Sequence, residues 1–455
     1  MDALLEALKE KLRNDQVSTN LTVRELHGRD ETYQKESLPD VVVFPESTED
    51  VVHIITVAQK FNTPITPFGV GTSLEGHVIP YQKGISMDFS QMNKILEIKE
   101  KDMLVRVQPG VTRDQLNKEL KKYGLFFSVD PGANATLGGM AATNASGTTS
   151  VKYGVMRDQV RDMEVVLADG TIIHTGNAAT KSSSGYHLNG LFVGSEGTLG
   201  VFTELTLRVY GIPEHIVAAR ATFPDLSHAI HAVTSILQAG VPIARVEFVD
   251  EASIVQLNTF SNTNYPVVPT LFLEFHGNKP GLEADLEFTK GIMDEHGCQG
   301  FDSETDTARR NQLWEARHNL AYAFIHGFPG KKMMLTDVAV PISELAAAAD
   351  FARKELEQSG LPGGILGHVG DGNFHSIVMV DLTNERDLAR AKTFNRNIVH
   401  FALERRGTCT GEHGVGVGKK SYQPLEHGAA LELMKQMKKV FDPNNILNPG
   451  KIFDV

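Results

Sequence analysis

The spacing of apolar and polar residues along the chain predicts short helices and strands in mixed order. In the first twelve residues apolar side chains recur every three to four positions, which predicts an amphipathic helix. An Asp169-Gly170 pair between two β-rich runs predicts a hairpin, because this dipeptide supplies the positive φ angles of a tight turn. The other predicted elements of this region are strands at 41–44, 64–68 and 85–89 and a helix at 51–61 that starts after Ser47. Together they predict an α+β region that ends near Tyr210.

From residue 215 onward the pattern changes to strands and helices in alternation. The predicted strands lie at 216–223, 244–249, 271–276, near 365 and at 376–380, and the helices at 226–238, 282–296, 345–358 and 388–405. This order predicts a sheet covered by helices on one face, in an α+β second domain. The turn-rich tail, residues 441–453, is expected to dock back onto the first domain. The sequence therefore predicts domains at 1–212 and 213–410 and a returning segment at 411–455.

Composition and charge narrow the classes of protein to consider. The chain has 455 residues, of which 41% are hydrophobic and 22% charged, values that predict a folded protein of two or three domains. Its net charge of −12 and the lack of any basic run argue against nucleic acid as a partner. No stretch of about 18 apolar residues occurs, so no transmembrane segment is predicted, while a peripheral membrane contact stays open. Two cysteines are too few for a disulfide framework, and with a charged N-terminus they predict a cytoplasmic location.

Three stretches rich in glycine and small residues point to a bound cofactor. The first, 67–76, follows a predicted strand and offers flexible backbone N–H groups and two hydroxyls, a combination that binds phosphate. Its glycine spacing fits neither the dinucleotide fingerprint nor the P-loop, and an ordinary surface turn explains it equally well. The second and third stretches, 129–147 and 194–201, bury little by themselves, so a flat, extended cofactor beside them is expected. A loop-rich structural domain is the alternative.

The order and spacing of the three loops resemble the FAD-binding domain of the vanillyl-alcohol-oxidase or PCMH-type flavoproteins, and among them the FAD-linked D-lactate and D-2-hydroxyacid dehydrogenases. The resemblance extends from about Pro39 to the tail Asn448-Pro-Gly-Lys451. It implies a PCMH-type FAD-binding domain, an α+β cap domain with an antiparallel sheet covered by helices, and a C-terminal segment docked on the FAD domain. Related flavoproteins tether the flavin through a histidine where this chain has Thr72, which implies non-covalent FAD, although His77 replaces a more usual glycine.

The resemblance also implies FAD contacts from all three loops. The first loop would hold the pyrophosphate, the second would follow the ribityl chain and flavin, and the third would contact the adenine half or the ring edge. The implied residues are Pro67, Gly69, Val70, Gly71, Thr72, Ser73 and Gly76, then Pro131, Gly132, Thr136, Gly138, Gly139, Thr143, Ser146, Gly147 and Tyr153, and finally Glu196, Gly197, Gly200, Val201 and Asn448.

Two histidine-containing segments suggest a metal site. His368 and His375 flank a Gly-Asp-Gly turn that can bring both imidazoles toward one point, and Glu412 and His413 lie on a second glycine-rich segment. Two histidines and a carboxylate are a common ligand set for a divalent metal such as zinc, manganese or iron, while solvated loop histidines are the alternative. In the resembled family the residues at His368, His375 and Glu412 are metal ligands, which implies a divalent metal, with zinc and manganese both open.

Candidate substrate ligands lie on a predicted helix and the strand that follows it. Arg317 offers a planar fork for a carboxylate and Lys332 a point charge, although read alone both are ordinary surface charges. The resemblance implies that both hold the substrate carboxylate and that Asn373 also contacts the substrate. Some D-2-hydroxyglutarate-type members carry a threonine where this chain has Ala321, which favours a short substrate such as D-lactate.

These residues lead to a hypothesis about the reaction. The chain is expected to oxidise a D-2-hydroxy acid, D-lactate to pyruvate, with hydride transfer to FAD and His413 as the general base. Because His413 follows Glu412 directly, an extended backbone would turn the two side chains apart. An external acceptor, which is a quinone, a cytochrome or an electron-transfer protein, would reoxidise the flavin. The alternatives are a glycolate or D-2-hydroxyglutarate dehydrogenase, as the flavin subunit of a complex with an iron–sulfur partner, and a nucleotide-binding metallohydrolase without flavin.

Overall fold

The computed structural model describes residues 1–31 and 34–455, which divide into two compact units. The first unit contains Met1–Ser146, Gly154–Ile212 and Glu412–Val455, and the second contains Gly147–Tyr153 and Pro213–Gly411. Residues 147–153, which the sequence places in the first domain, group with the second unit because the helix Ser150–Tyr153 packs on the strand Ile243–Val249. No helix in the described part of the chain is long and apolar enough to cross a bilayer.

The helix Thr48–Phe61 of the first unit starts and ends where local signals predict. Ser47 caps the helix Thr48–Phe61 by accepting a hydrogen bond from the Asp50 N–H, and Asn62 ends it in the left-handed conformation. The described helices of this unit are Asp2–Lys9, Leu21–Leu26, Thr48–Phe61, Arg113–Leu120, Leu137–Thr143, Met156–Gln159, Leu188–Phe192, Gln423–His427 and Ala430–Phe441.

Three sheets form the framework of the first unit in the part of it that the structure describes. One sheet has the strand order Val17–Ser18, Val41–Val43, Ile85–Asp88 and Ile65–Phe68, with parallel pairing among its last three strands. An antiparallel sheet has the order Ile95–Lys99, Leu104–Val107, Val201–Arg208, Val160–Val166 and Ile172–His174, and its last two strands form the predicted hairpin. The short strands Leu125–Phe126 and Tyr210–Gly211 form a third pair. Leu447 of the tail bridges to Ile65, so the C-terminal segment docks on this unit as predicted.

The second unit is built on one antiparallel sheet. Its strands lie in the order Gly300–Glu304, His215–Thr222, Thr270–Gly277, Ile243–Val249, Gly363–Gly367, Asn373–Val380 and Lys332–Leu335, and Val338–Ala339 also pairs with Asn373–Val380. Its helices are Ser150–Tyr153, Leu226–Gln238, Glu251–Ser261, Lys279–Glu295, Thr307–His318, Leu320–Gly327, Leu345–Ser359 and Glu385–Glu404. The predicted α+β class and the antiparallel, helix-covered sheet are therefore confirmed.

Helices cover both faces of this sheet, so the expectation of helices on one face is wrong. Every residue of Asn373–Val380 is buried, and because successive side chains point to opposite faces, both faces must be covered. One face packs in a core that includes Phe272, Trp314, Phe324 and Ile377. The helices Leu226–Gln238, Leu345–Ser359 and Glu385–Glu404 contact the strands but contribute no residue to that core, which places them on the other face.

A buried lysine joins the tail to the third glycine-rich loop within the first unit. Lys438 is 2% exposed, and its ammonium donates to the carbonyls of Thr198 and Leu447, each at 2.8 Å, and to the carboxylate of Asp442. Asp442 in turn accepts the N–H groups of Ile446 at 3.0 Å and Leu447 at 2.7 Å. Each buried charge is thus paired and hydrogen-bonded, which is the condition for burying it at modest cost.

The substitution Lys438→Met should therefore destabilise the protein strongly. It leaves the Asp442 carboxylate buried without its cation, which typically costs about 3–5 kcal/mol in the free energy of unfolding. Chemical denaturation followed by circular dichroism measures the loss. Lys439→Met is the matched control, because Lys439 is exposed on the same helix and its replacement should change the midpoint little. Equal effects of the two substitutions would contradict the role of Lys438.

Candidate active site

The first glycine-rich loop leaves the end of the strand Ile65–Phe68. Gly71 has φ +73° and Gly76 has φ +78°, a conformation that favours glycine. A Cβ atom on Gly69 would lie 2.4 Å from the Thr136 hydroxyl oxygen, so the absence of a side chain lets the second loop pass close to the first. The sequence signal at these positions is therefore explained by backbone geometry and close packing.

The third loop meets the other two in the same unit. A Cβ atom on Gly197, where φ is +69°, would lie 3.0 Å from the ring of Pro67 in the first loop. The N–H of Gly194 donates to the carbonyl of Ala141 at 2.9 Å, and the N–H of Glu196 donates to the carbonyl of Ala142 at 2.8 Å. The structure therefore brings together three loops that are separated by up to about 130 positions in sequence.

The converging loops keep a surface of backbone and small side chains open to solvent. Val70, Gly132 and Gly139 are exposed, and a Cβ atom on Gly132 would meet no heavy atom within 4 Å among the described residues outside its chain neighbours. Thr136, Gly138, Gly200 and Val201 are instead buried beneath this surface. Such a surface fits a flat, extended cofactor such as FAD, because no bulky side chain occupies the space beside it.

Two predicted phosphate donors of the first loop have a different partner. The N–H of Gly76 donates to the carboxylate of Asp30 at 2.8 Å, and the hydroxyl of Ser73 donates to the same oxygen at 3.3 Å. An acidic side chain at this point disfavours a phosphate there. Gly69, Val70, Gly71 and Thr72 are thus the better candidates for a pyrophosphate, and the sequence carried no signal for Asp30.

The tail is held against the loops by buried polar groups. The side-chain amide of Asn448 donates to the carbonyls of His77 at 3.1 Å and Glu196 at 2.8 Å. The ring Nε2 of His77 lies 3.3 Å from the Glu196 carboxylate. Burial lowers the pKa of His77, but the attraction of the Glu196 carboxylate raises that pKa above its ordinary value overall. Burial also lowers the pKa of Lys451, which donates to the carbonyl of Ile79 at 2.7 Å, to about 8.

Glu196, which the resemblance implies as a cofactor contact, holds the loop that follows His413. Its two carboxylate oxygens accept the N–H groups of Val415 at 2.7 Å and Gly416 at 2.9 Å. The same carboxylate pairs with His77, which directly follows the first loop, so one buried acid contacts both this position and the loop at 412–418. The sequence suggested Glu196 only as part of a glycine-rich run, and its partners lie far away in sequence.

The side chains of Glu412 and His413 point to the same side, so the expectation that they turn apart is wrong. The His413 Nε2 lies 3.8 Å from a Glu412 carboxylate oxygen. This segment is a bend, in which Gly414 has φ +81°, and the alternation of an extended strand does not apply. The other oxygen of Glu412 accepts the hydroxyl of Ser146, at the end of the second loop, at 2.8 Å.

In the second unit the structure brings His368 and His375 together. His368 follows the strand Gly363–Gly367, His375 lies in the strand Asn373–Val380, and Gly372, with φ +83°, permits the tight turn between the strands. The two imidazole centroids are 5.3 Å apart at an interplanar angle of 87°. This is the arrangement that the Gly-Asp-Gly turn predicted.

Each imidazole is oriented by an oxygen acceptor at Nδ1. The Nδ1 of His368 lies 2.7 Å from a carboxylate oxygen of Glu247, and the Nδ1 of His375 lies 3.2 Å from the carbonyl of Thr336. Donation from Nδ1 places the lone pair on Nε2, which is the atom available to a metal ion. Sequence reasoning missed Glu247, although a glutamate among apolar residues of the strand Ile243–Val249 is the signal that could have found it.

Asn373 is fixed beside His375 by its amide group. Its Nδ2 donates to the Asp337 carboxylate and to the Val338 carbonyl, each at 2.8 Å, and Asp337 also accepts the Thr410 hydroxyl at 2.8 Å. The Asn373 Oδ1 is buried and has no hydrogen-bond donor among the described residues. An unpaired buried acceptor at this point suits a ligand hydroxyl.

Arg317 is buried on the helix Thr307–His318 and contacts the same glutamate as His368. Its Nη2 donates to the second carboxylate oxygen of Glu247 at 2.6 Å. Its Nε is buried and has no acceptor within the described part of the chain, so the guanidinium keeps a donor for a ligand.

Lys332 does not lie beside Arg317. It pairs with Val380, whereas Met333 pairs with Met379, so the pleat places Lys332 on the face opposite to Met379. Met379 belongs to the core that packs against the helix of Arg317. The Lys332 side chain is exposed, and its role as a ligand of the substrate carboxylate stays a prediction.

Tyr153, predicted to contact the cofactor, takes part in a polar chain of the second unit. Its hydroxyl lies 2.8 Å from the Nδ1 of His276, and the His276 Nε2 lies 2.8 Å from Glu274. Gly147, at the start of the same segment, donates its N–H to the Ser150 hydroxyl at 3.0 Å.

Comparison with known proteins shows which family this chain resembles. Residues 39–176 match the FAD binding domain, and residues 212–452 match the FAD linked oxidases, C-terminal domain. The chain is 44% identical to a protein named probable mitochondrial D-lactate dehydrogenase of Danio rerio, over 100% of this chain and 92% of that protein. It is 40% identical to the mitochondrial D-lactate dehydrogenase [cytochrome] of Arabidopsis thaliana, over 99% of this chain and 80% of that protein.

A solved structure supports the fold assignment. The structure of p-cresol methylhydroxylase with substrate bound superposes with a TM-score of 0.82 and 18% identity, covering 100% of this chain and 97% of that chain. At this identity the likeness concerns the fold alone, and it confirms the predicted PCMH-type FAD-binding architecture. With both family models matched and with relatives similar over at least 99% of this chain, this chain belongs to the family of FAD-linked oxidases.

Proposed function

We propose that this chain oxidises D-lactate to pyruvate and passes the electrons through FAD to an external acceptor. The observation that carries the proposal is the 44% identity over the whole chain to a protein named D-lactate dehydrogenase. Ala321, in place of the threonine of D-2-hydroxyglutarate-type enzymes, supports a short substrate.

FAD is proposed to lie non-covalently on the surface formed by the three glycine-rich loops. Gly69 to Thr72 would hold the pyrophosphate through backbone N–H groups, and the exposed backbone at Gly132 and Gly139 would lie beside the extended part of the cofactor. Thr72 stands where related flavoproteins carry the tethering histidine, which supports a cofactor without a covalent bond. When bound, FAD supplies the hydride acceptor.

His368, His375 and Glu412 are proposed to hold a divalent cation, zinc or manganese. The donor set of two imidazoles and a carboxylate suits either metal, and both imidazoles have Nδ1 turned toward an oxygen acceptor, which leaves the Nε2 lone pair for coordination. When bound, such a cation supplies a Lewis acid that lowers the pKa of a coordinated hydroxyl.

The substrate is proposed to bind through Arg317 and Asn373. The buried Nε of Arg317 would donate to the substrate carboxylate, and the buried Oδ1 of Asn373 would accept from the substrate hydroxyl. Each contact gives a hydrogen-bond partner to a buried polar atom that is otherwise desolvated without one. Because both groups are already oriented, little entropy is lost when the substrate binds.

His413 is proposed as the general base. As the C–H bond of the hydroxy acid breaks with transfer of hydride, the hydroxyl proton must also leave, and a histidine has a pKa suited to accept it near neutral pH. The Nε2 of His413 would take this proton. Because that atom lies 3.8 Å from Glu412, coordination of a metal by His413 is the competing role.

A cytochrome is the proposed acceptor, with a quinone or an electron-transfer protein as the alternatives. Support comes from the word cytochrome in the name of the Arabidopsis thaliana relative. The names of both relatives also state a mitochondrial location, whereas the cysteine count of this chain predicted a cytoplasmic one, and fractionation of cells that express the tagged protein would decide the location.

The proposed substrate leads to a direct prediction. Anaerobic mixing of the yellow protein with D-lactate should bleach the flavin band at about 450 nm faster than mixing with L-lactate, glycolate or D-2-hydroxyglutarate. Stopped-flow absorbance measures the four rates. Faster bleaching by glycolate or D-2-hydroxyglutarate would replace the proposed substrate, and a colourless protein with hydrolase activity would support the metallohydrolase.

The proposed cofactor linkage leads to another prediction. Precipitation of the protein with acid should release all of the yellow colour into the supernatant, because backbone contacts to the pyrophosphate are lost on unfolding. Absorbance of the supernatant and of the redissolved pellet gives the partition. Colour that stays with the pellet would indicate a covalent bond, and His77 would then be the first histidine to test.

The role of His413 can be tested by the substitution His413→Asn. The variant should keep FAD and metal near full occupancy yet reduce its flavin about 100-fold more slowly with D-lactate, the usual scale for loss of a general base. His427→Asn is the control, since His427 ends the helix Gln423–His427 of the same segment. Loss of the metal in His413→Asn would assign this residue to coordination instead.

A further inference from the structure

A single buried glutamate joins the candidate metal ligand to the candidate substrate ligand. Glu247 lies in the strand Ile243–Val249 and has no exposed surface. Glu247 pairs directly with Phe272 on the adjacent strand, so the two side chains lie on the same face of the sheet. Phe272 belongs to the core that packs against the helix of Arg317. A carboxylate in such a place must be paired and hydrogen-bonded, because an isolated buried charge is very costly.

The two oxygens of Glu247 serve two different partners. Oε2 accepts from the Nη2 of Arg317 at 2.6 Å, and Oε1 lies 2.7 Å from the Nδ1 of His368. A guanidinium is a cation that carries only donors, so the buried carboxylate that pairs with Arg317 is an anion and can act only as an acceptor. The proton of the second contact therefore belongs to His368 Nδ1.

This contact selects the tautomer of His368. With the proton on Nδ1, the lone pair of the neutral ring lies on Nε2, and the negative charge at Nδ1 makes that lone pair more basic. The same carboxylate fixes one edge of the Arg317 guanidinium, and the Arg317 Nε, which is buried without a partner among the described residues, is oriented with it.

We infer that Glu247 is a positioning residue that orients His368 for metal binding and Arg317 for substrate binding through one carboxylate. The inference rests on the proposed function for the metal and the substrate carboxylate, and it adds the group that couples them. A purely structural glutamate would neutralise Arg317 and have no effect on the chemistry of His368.

The substitution Glu247→Gln distinguishes a positioning glutamate from a purely structural one. The amide has one acceptor and one donor end, and since Arg317 can only donate, the amide oxygen turns toward Arg317 and the NH2 group toward His368. His368 Nδ1 must then become an acceptor, which moves the ring proton to Nε2, the proposed coordinating atom. The variant has nearly the same volume and keeps a hydrogen-bond partner for Arg317.

A neighbouring glutamate provides a matched control. Glu274 on the adjacent strand is also buried, lies 3.3 Å from the Nε of Arg245 and lies 2.8 Å from the Nε2 of His276. Glu274→Gln therefore disturbs a similar arginine, glutamate and histidine arrangement that contains no proposed metal ligand.

The experiment measures Mn²⁺ affinity of metal-stripped, FAD-loaded protein by electron paramagnetic resonance of the free ion. Glu247→Gln should weaken binding about 10- to 100-fold, the usual effect of losing an oriented ligand. It should also raise the KM for D-lactate and leave the FAD content unchanged, whereas Glu274→Gln should keep the wild-type Mn²⁺ affinity. Unchanged affinity in Glu247→Gln, or equal loss in both variants, would overturn the inference.

The tautomer gives a readout that needs neither metal nor activity. In protein labelled with nitrogen-15 histidine, the His368 signal, assigned by its absence in His368→Gln, should report Nδ1–H in the wild type and Nε2–H in Glu247→Gln. If the wild type binds no divalent cation, the proposed metal fails, and the tautomer alone then decides on Glu247. A wild-type ring with its proton on Nε2 overturns the inference even if the Gln variant does not fold.

Discussion

Loops made of glycine and small residues bury little apolar surface, so buried polar side chains must hold them. In the first unit Glu196 accepts two backbone N–H groups of the loop at 412–418, Asn448 donates to the carbonyls of His77 and Glu196, and Lys438 donates to those of Thr198 and Leu447. Each contact satisfies a backbone group that burial would otherwise leave unpaired. The open surface of the loops can therefore stay free of bulky side chains without loss of order.

In the second unit, buried polar side chains hold the side chains of the candidate site. Glu247 and Asp337 are fully buried carboxylates, and each accepts from more than one side chain of the candidate site. Their partners, Arg317, His368 and Asn373, are thereby held in fixed orientations before any ligand arrives. Orientation in advance reduces the entropy lost on binding, which is the physical advantage of building a site on strands around buried anions.

Local sequence determined the secondary structure and the positions of the glycine-rich loops. Ser47 and Asn62 mark the ends of one helix because capping and the left-handed conformation depend on adjacent residues only. The Asp169-Gly170 hairpin and the pairing of His368 with His375 across a tight turn follow from the same short-range geometry. The family resemblance rested on the order and spacing of the glycine-rich loops, which are also local features of the sequence, and this explains why the fold class and the cofactor could be predicted from the sequence.

Only the tertiary structure decided which charged groups pair and where their side chains point. Glu247 is 70 positions from Arg317 and 121 from His368 in sequence. The sequence contains many cations with which a carboxylate could pair, and only the packing of the strands and helices brings these two partners to Glu247. Strand register also decides that Lys332 lies on the face opposite to Met379, and a bend in the backbone turns Glu412 and His413 to one side. Sequence by itself therefore determined elements and residue types, whereas long-range packing decided partners and directions, because these depend on contacts that no local pattern encodes.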